Sequence, residues 1–501
     1  MTKKEKICLI IILLFCFFLL YLLIEPIFTK KSINSDNFTM EIEGKNYNII
    51  LITFDALGAN YLSIYGFDKE TAPNLKKFSD QSFIFSNSIS QSGSTPLSLC
   101  SLFTSRYPFT DNLMQDKIEG LSYLSVCKKN ILFLPYFLQR MGYHTYGIVR
   151  NGGARSEFGF SFGFDYFNEE NVFTRPCAEA TFNTSIDLVK NEIKEPFFLW
   201  IHNNEPHSIY YNFPYMPPEK YFWMFYNNYS VPNFYSTMNQ IIPNSSEISN
   251  CNPQQFYSEL SDKTFINFRQ NLIRLSGNVR EYILVGRKAN ISEEELEQLK
   301  GAYLGNIRYA DENFGKFLKY IETQPFYNNT IIVITADHGE SLSLHGIFDH
   351  NDLYQDIIHV PLLIHLPRQN FTRTIEEPVE SVDIYPTIID ILGLNLDYSV
   401  RGENLFNKNR NKSFQFSEIP EKKILINRGI KFWIEGNDTY YYNLSQDNNE
   451  LNKKELYEKK ENILNITIIP QDIFIPQGDF EMTEEEKQEL RKSGYWDINN
   501  T

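Results

Sequence analysis

The sequence predicts an α/β protein: a central, mostly parallel sheet with helices on both faces, a small C-terminal antiparallel subdomain and an N-terminal transmembrane helix. Three observations lead there. Short all-apolar runs recur along the chain and end in a carboxylate or an imidazole. Segments with helical spacing separate them, as expected when strands are buried on both faces. A longer apolar run, Ile7 to Ile24, stands apart from the rest.

That run has 18 residues, near the minimum that spans a bilayer at about 1.5 Å per residue. Lys3, Lys4 and Lys6 precede it, Lys30 and Lys31 follow it, and no small-x-small cleavage site precedes Glu25 and Pro26. A retained anchor is therefore expected in preference to a cleaved signal peptide. Residues 1–6 form a cytoplasmic tail, 7–24 the anchor and 25–46 a polar stalk. A single pass with the N-terminus inside is expected. The body is then expected in the periplasm, a lumen or at the cell surface.

A large domain covers 47–406. Asn48–Thr53, Thr145–Val149, Pro196–Ile201 and Thr330–Thr335 read as buried strands. Leu138–Gly142 reads as a helix end stopped by glycine, and residues 298–321 as a helix with Leu304, Ile307, Phe314, Phe317 and Ile321 on one face. Residues 208–260, crowded with aromatic residues, asparagine and proline, read as an insertion or lid. Residues 407–501 give the C-terminal subdomain and a charged tail, with strands at Lys423–Asn427, Ile430–Glu435 and Thr439–Tyr442.

A net charge of −15 argues against a nucleic-acid partner, which needs a basic footprint. An acidic protein still binds an anion where a metal supplies the local positive charge. Cys100, Cys127, Cys177 and Cys251 allow three pairings that sequence does not separate, and free thiols are the alternative.

The chemistry gathers at strand ends, where open α/β sheets collect reactive groups. Asp55 follows the first strand, His202 and His207 the third, and Asp337-His338-Gly-Glu340 the fourth. Adjacent aspartate and histidine before a glycine can turn towards one ion. Mixed oxygen and imidazole ligands suit zinc or manganese better than calcium.

Asp55-Ala-Leu-Gly-Ala-Asn-Tyr-Leu-Ser-Ile-Tyr-Gly66, with Thr71-Ala-Pro-Asn-Leu75, resembles the opening of the sulfatase family of the alkaline-phosphatase superfamily. Gly142-Tyr-His-Thr145, Gly163-Phe-Asp-Tyr-Phe167, His202 through His207 with Pro214-Tyr215, and Tyr309-Ala-Asp311 follow in the family's order. So do Thr335-Ala-Asp-His-Gly-Glu-Ser-Leu342, His345-Gly346, His350, Leu353-Tyr354, Val360-Pro-Leu-Leu363, Asp383-Ile-Tyr-Pro-Thr387 and Gly402-Glu-Asn-Leu405. The resemblance runs from about residue 47 to 445.

The family's nucleophile segment reads here Ser94-Thr-Pro-Leu-Ser-Leu-Cys-Ser-Leu-Phe-Thr104. True sulfatases resemble Cys-x-Pro-x-Arg there, and the cysteine, or sometimes a serine, becomes formylglycine. Thr95 takes the nucleophile position, with Leu97 and Leu99 in place of the proline and arginine. The segment is closer to phosphoethanolamine and glycerophosphate transferases of sulfatase fold, in which an unmodified threonine attacks phosphorus. Ala56 stands where calcium-type sulfatases carry a second acidic residue, and Gly58 where an arginine is common.

The resemblance implies one divalent metal, zinc with manganese or calcium as alternatives, held by Asp55, Thr95, Asp337 and His338. It implies Thr95, His207 and His350 as catalytic residues, with His202 and His345 as further substrate-binding candidates. The expected activity is phosphoester transfer or hydrolysis of phosphoethanolamine type, on a lipid-linked or glycan ester near the membrane. The alternatives are a sulfuric ester hydrolase acting on a sulfated glycan or lipid, and a non-catalytic surface binding protein.

Overall fold

The computed structural model of the protein describes residues 46–115, 126–127, 132–170, 178–207, 215, 217–226, 293–396, 398–410, 412 and 414–455. The apolar run 7–24, the stalk to residue 45, most of the 208–260 insertion and the tail beyond 455 lie outside the described residues. Among the described residues, no helix is long and apolar enough to cross a membrane.

Eight strands build the central sheet. In chain order they are β1 (Asn48–Phe54), β2 (Phe83–Phe85), β3 (His144–Val149), β4 (Tyr166–Asn168), β5 (Phe197–Asn203), β6 (Thr330–Ala336), β7 (Leu362–His365) and β8 (Arg373–Ile375). Their spatial order is β8-β2-β7-β6-β1-β5-β3-β4. β1, β5 and β6 are buried along their whole length, which explains their continuous apolar runs. β1 lies parallel to both β5 and β6.

The sheet is mostly parallel, as expected from sequence, and mixed: five of its seven strand pairings are parallel and two are antiparallel. β7 runs antiparallel to both of its neighbours, β6 and β2. A parallel neighbour requires a crossover, usually a helix, that returns the chain to the starting edge. Between Ala336 and Leu362 the described helix, Gln355–Ile358, has only four residues. The chain therefore stays at the carboxyl end of β6 and comes back in the opposite direction.

The longer helices are α1 (Pro73–Ser79), α2 (Thr95–Thr104), α3 (Leu134–Arg140), α4 (Ala178–Asn191), α5 (Glu293–Ile321) and α6 (Ile384–Ile391). On one face of the sheet, Ile50, Ile52 and Phe54 pack with Phe182 of α4 and Phe314 and Phe317 of α5. On the other, Trp200 meets Phe103 of α2 edge-on at 4.8 Å. Alternation along β5 sends Leu199 one way and Trp200 and His202 the other. α2 is buried from Thr95 to Thr104, so its first residue is held in place by packing along the whole helix.

Phe414–Ile419 (β9), Lys422–Asn427 (β10), Ile430–Glu435 (β11), Asp438–Asn443 (β12) and Lys454–Glu455 (β13) form a five-stranded antiparallel sheet. β9 escapes a reading by hydrophobicity because it buries Gln415, Ser417 and Glu418. Gln415 donates to the carbonyls of Asn87 and Val379, and Glu418 accepts from the N–H groups of Phe109 and Thr110. Trp433, Ile424 and Tyr442 pack under Leu353, Ile357 and Ile358.

Cys100 of α2 is disulfide-bonded to Cys127, with Cα atoms 5.8 Å apart and a sequence separation of 27. Closing a loop of that size in the unfolded chain stabilises the fold by about 3 kcal/mol. Cys100→Ser is expected to lower the unfolding free energy by about that amount, and the denaturant midpoint with it. The check is urea titration of oxidised wild type against the variant.

Candidate active site

The parallel register of β1 and β6 puts Phe54 beside Ala336. Asp55 and Asp337, the next residues, leave the sheet together at its carboxyl end, both buried. Burial, then the negative charges of Asp337 and Glu340, push the Asp55 carboxyl well above its usual range. Such a group of carboxylates calls for positive charge or donors.

Part of that need is met by the protein. Asn151 Nδ2 donates to Asp55 Oδ2. Asp337 Oδ1 accepts the N–H groups of Ala56 at 3.2 Å and His338 at 2.8 Å. Ala56 adopts φ +59°, a left-handed conformation uncommon for a residue with a Cβ. Its carbonyl accepts the Tyr303 hydroxyl at 2.7 Å, which helps hold the bend that aims its N–H at Asp337. Asp55 Oδ1 and Asp337 Oδ2 remain buried without a hydrogen-bond partner.

His338 faces those two oxygens. Its Nε2 lies 3.6 Å from Asp55 Oδ1 and 3.6 Å from Asp337 Oδ2. Nδ1 is 2.9 Å from the Gly339 carbonyl, which can only accept. The proton of the neutral ring therefore sits on Nδ1, and the Nε2 lone pair points at the carboxylates. Thr95 Oγ1, at the first residue of α2, lies 3.2 Å from the same Nε2. Donors about 2.0–2.2 Å from a tetrahedral ion lie roughly 3.4 Å apart, so these residues fit a divalent cation. His202 adds a nitrogen: Asp55, His202 and Asp337 each offer a ligand atom within 4.8 Å of the others. Burial pushes the His202 pKa down to about 4, which keeps the ring neutral.

The other histidines divide. His350 stacks on His338 at 4.2 Å, and its Nε2 lies 3.1 Å from His207 Nε2. His350 Nδ1 donates to the Gly93 carbonyl at 2.8 Å, so between two neutral rings the shared proton belongs to His207 Nε2. His207 is fixed by its own N–H, which donates to the Asp55 and Asn204 carbonyls. His345 is not brought into this group by any contact among the described residues. Its ring stacks on Tyr354 at 3.6 Å, and burial together with the Lys431 charge pushes its pKa down to about 4.

Sequence reading missed Asn151. It caps a short 3₁₀ turn, Gly152–Ala154, immediately beyond β3, and also donates to Asn204 Oδ1 at 3.3 Å. A Cβ built on Gly153 would lie 3.4 Å from Thr95 Cβ, so this turn sits against the nucleophile candidate. The available signal was an Asn-Gly-Gly run directly after a buried strand.

The chain belongs to the sulfatase family, whose profile matches residues 47–394. N-acetylglucosamine-6-O-sulfatase of Bacteroides thetaiotaomicron is 22% identical over 419 residues, 72% of this chain and 71% of that one. A solved enzyme in complex with its substrate D-glucosamine-2-N,6-O-disulfate superposes with a TM-score of 0.62 at 18% identity, covering 90% of this chain and 97% of that one. Phosphonate monoester hydrolase of Agrobacterium radiobacter superposes with a TM-score of 0.59 at 16% identity, covering 81% and 91%. Family members are metal-dependent hydrolases, and the carboxylate–histidine cluster is where this chain can hold a metal.

Asn151→Ala removes the donor that orients Asp55, and a lost partner of a ligand typically weakens metal binding about 10- to 100-fold. Zinc titration of variant and wild type, each stripped beforehand, is expected to show a loss within that range.

Proposed function

We propose that this protein cleaves or transfers an anionic ester group with Thr95 as nucleophile. The substrate is a phosphoester of phosphoethanolamine type, lipid-linked or on a glycan, and the reaction takes place outside the cytoplasm. One observation carries the reading: the Thr95 hydroxyl lies 3.2 Å from His338 Nε2, at the edge of the Asp55–Asp337 pair. Oxidising a threonine carbinol gives a ketone and not an aldehyde, so Thr95 reacts as an alcohol. A divalent ion held by Asp55, Asp337 and His338, zinc being the best match to the donors and manganese or calcium the alternatives, would supply the Lewis acidity that lowers the hydroxyl pKa.

The chain's own groups do the rest. α2 holds Thr95 Oγ1 rigidly, and Pro96 stiffens the first turn. In-line attack forms a bond from Oγ1 to phosphorus as the bond to the leaving oxygen breaks. Oγ1 loses its own proton to solvent on becoming the attacking alkoxide, and the His207–His350 pair, once it carries one further proton as an imidazolium, donates that proton to the leaving oxygen. Water or an acceptor hydroxyl then releases the group from Thr95. The Ile7–Ile24 run and the Cys100–Cys127 disulfide both favour a membrane-tethered protein facing an oxidising compartment.

A sulfuric ester hydrolase is the second reading, favoured by the family and by the sulfatase relative of Bacteroides thetaiotaomicron. A panel containing a phosphodiester and a sulfate monoester separates the two. Turnover of the sulfate monoester alone would sink the phosphoester reading.

Thr95→Ala is expected to lower turnover on the order of 10⁴-fold or more while leaving the fold intact. Mass spectrometry after brief exposure to the phosphodiester should locate the transferred group on Thr95 of the wild type. Wild-type rates in the variant would show that the nucleophile is another group.

A further inference from the structure

His202 takes part in none of the bond-making steps above, yet its surroundings call for a ligand. It is fully buried at the end of β5. Pairing register sets it beside Thr53, and Thr53 beside Thr335. Asp55 and Asp337 each follow one of these threonines by two residues. All five side chains therefore share one face of the sheet, with His202 a step below the carboxylate pair.

The ring is held from behind. His202 Nδ1 lies 2.8 Å from Thr53 Oγ1, which itself accepts the Trp200 indole N–H at 3.0 Å. His202 Nε2 is buried without a hydrogen-bond partner, as are Asp55 Oδ1 and Asp337 Oδ2. These three residues converge, each turning a ligand atom to within 4.8 Å of the others. A donor hydrogen satisfies one atom, whereas a divalent cation can draw a ligand atom from each of the three residues together.

We infer that His202 is an inner ligand of the cation, bound through Nε2 from beneath Asp55 and Asp337. The inference rests on the reading that those carboxylates hold a cation. The fixed donor set is then two imidazoles, His202 and His338, and two carboxylates. Thr95 Oγ1 is the exchangeable position and stays free to attack. Two nitrogens in the set select zinc or manganese over calcium.

The test uses the full chain, stripped of metal and titrated with cobalt(II) while visible absorption and bound metal are followed. His202→Gln should weaken cobalt binding by about 100-fold or more and shift the absorption band. Thr53→Val keeps the imidazole but removes its Nδ1 partner; it should weaken binding about 10-fold with the band in place. Pulsed EPR of manganese(II)-loaded wild type needs no variant and should count two imidazole nitrogens. One nitrogen, or unchanged affinity and spectrum in His202→Gln, would overturn the inference. Cobalt uptake that Asp55→Ala abolishes and His202→Gln leaves untouched rejects His202 alone and keeps the cation site. No uptake by the wild type rejects both.

Discussion

β1 and β6 pair in parallel, and so the residues that follow them are forced side by side wherever the sheet forms. Those residues are Asp55 and Asp337. Like charges in a pocket shielded from water repel far more strongly than on a surface. The site is arranged around that repulsion. Asn151 donates to one carboxylate, the bent Ala56 peptide and the His338 N–H donate to the other, and His338 turns a lone pair towards both. α2 then delivers a hydroxyl to the same point.

The residues legible in the sequence were those whose place follows from strand periodicity. Asn48–Phe54, Phe197–Asn203 and Thr330–Ala336 are buried throughout and carry apolar runs at their centres, so Asp55, His202, Asp337 and His338 could be set at strand ends from pattern alone. Thr95 and His350 came from family order, because a helix start and a loop carry no periodic mark. What escaped depends on contacts distant in sequence. Asn151 reaches Asp55 across 96 positions. The reversal of β7 follows from how the chain stays at one end of the sheet. β9 buries polar side chains whose partners, such as Asn87 and Val379, come from the other sheet's connections. The pairing of Cys100 with Cys127, and the absence of His345 from the cluster, likewise depend on tertiary packing.

Residues 350–356 join the histidine cluster to the antiparallel sheet. His350 lies at the cluster, stacked on His338. Behind it, Lys431 donates to the Leu353 carbonyl and pairs with Glu450, Lys422 pairs with Asp352 at 3.0 Å, and Glu450 accepts the Gln355 N–H at 2.6 Å. Trp433 packs on Tyr354 at 4.8 Å. The antiparallel sheet thus acts as a backing plate for a loop that belongs to the main fold.

Translation runs from the amino end, so this backing is among the last parts of the described protein to leave the ribosome. A growing chain can have assembled the carboxylates, the threonine and the central sheet while the histidine loop still lacks its rear support. Loss of those strands would take away the loop's rear support and leave the carboxylates and the threonine in place.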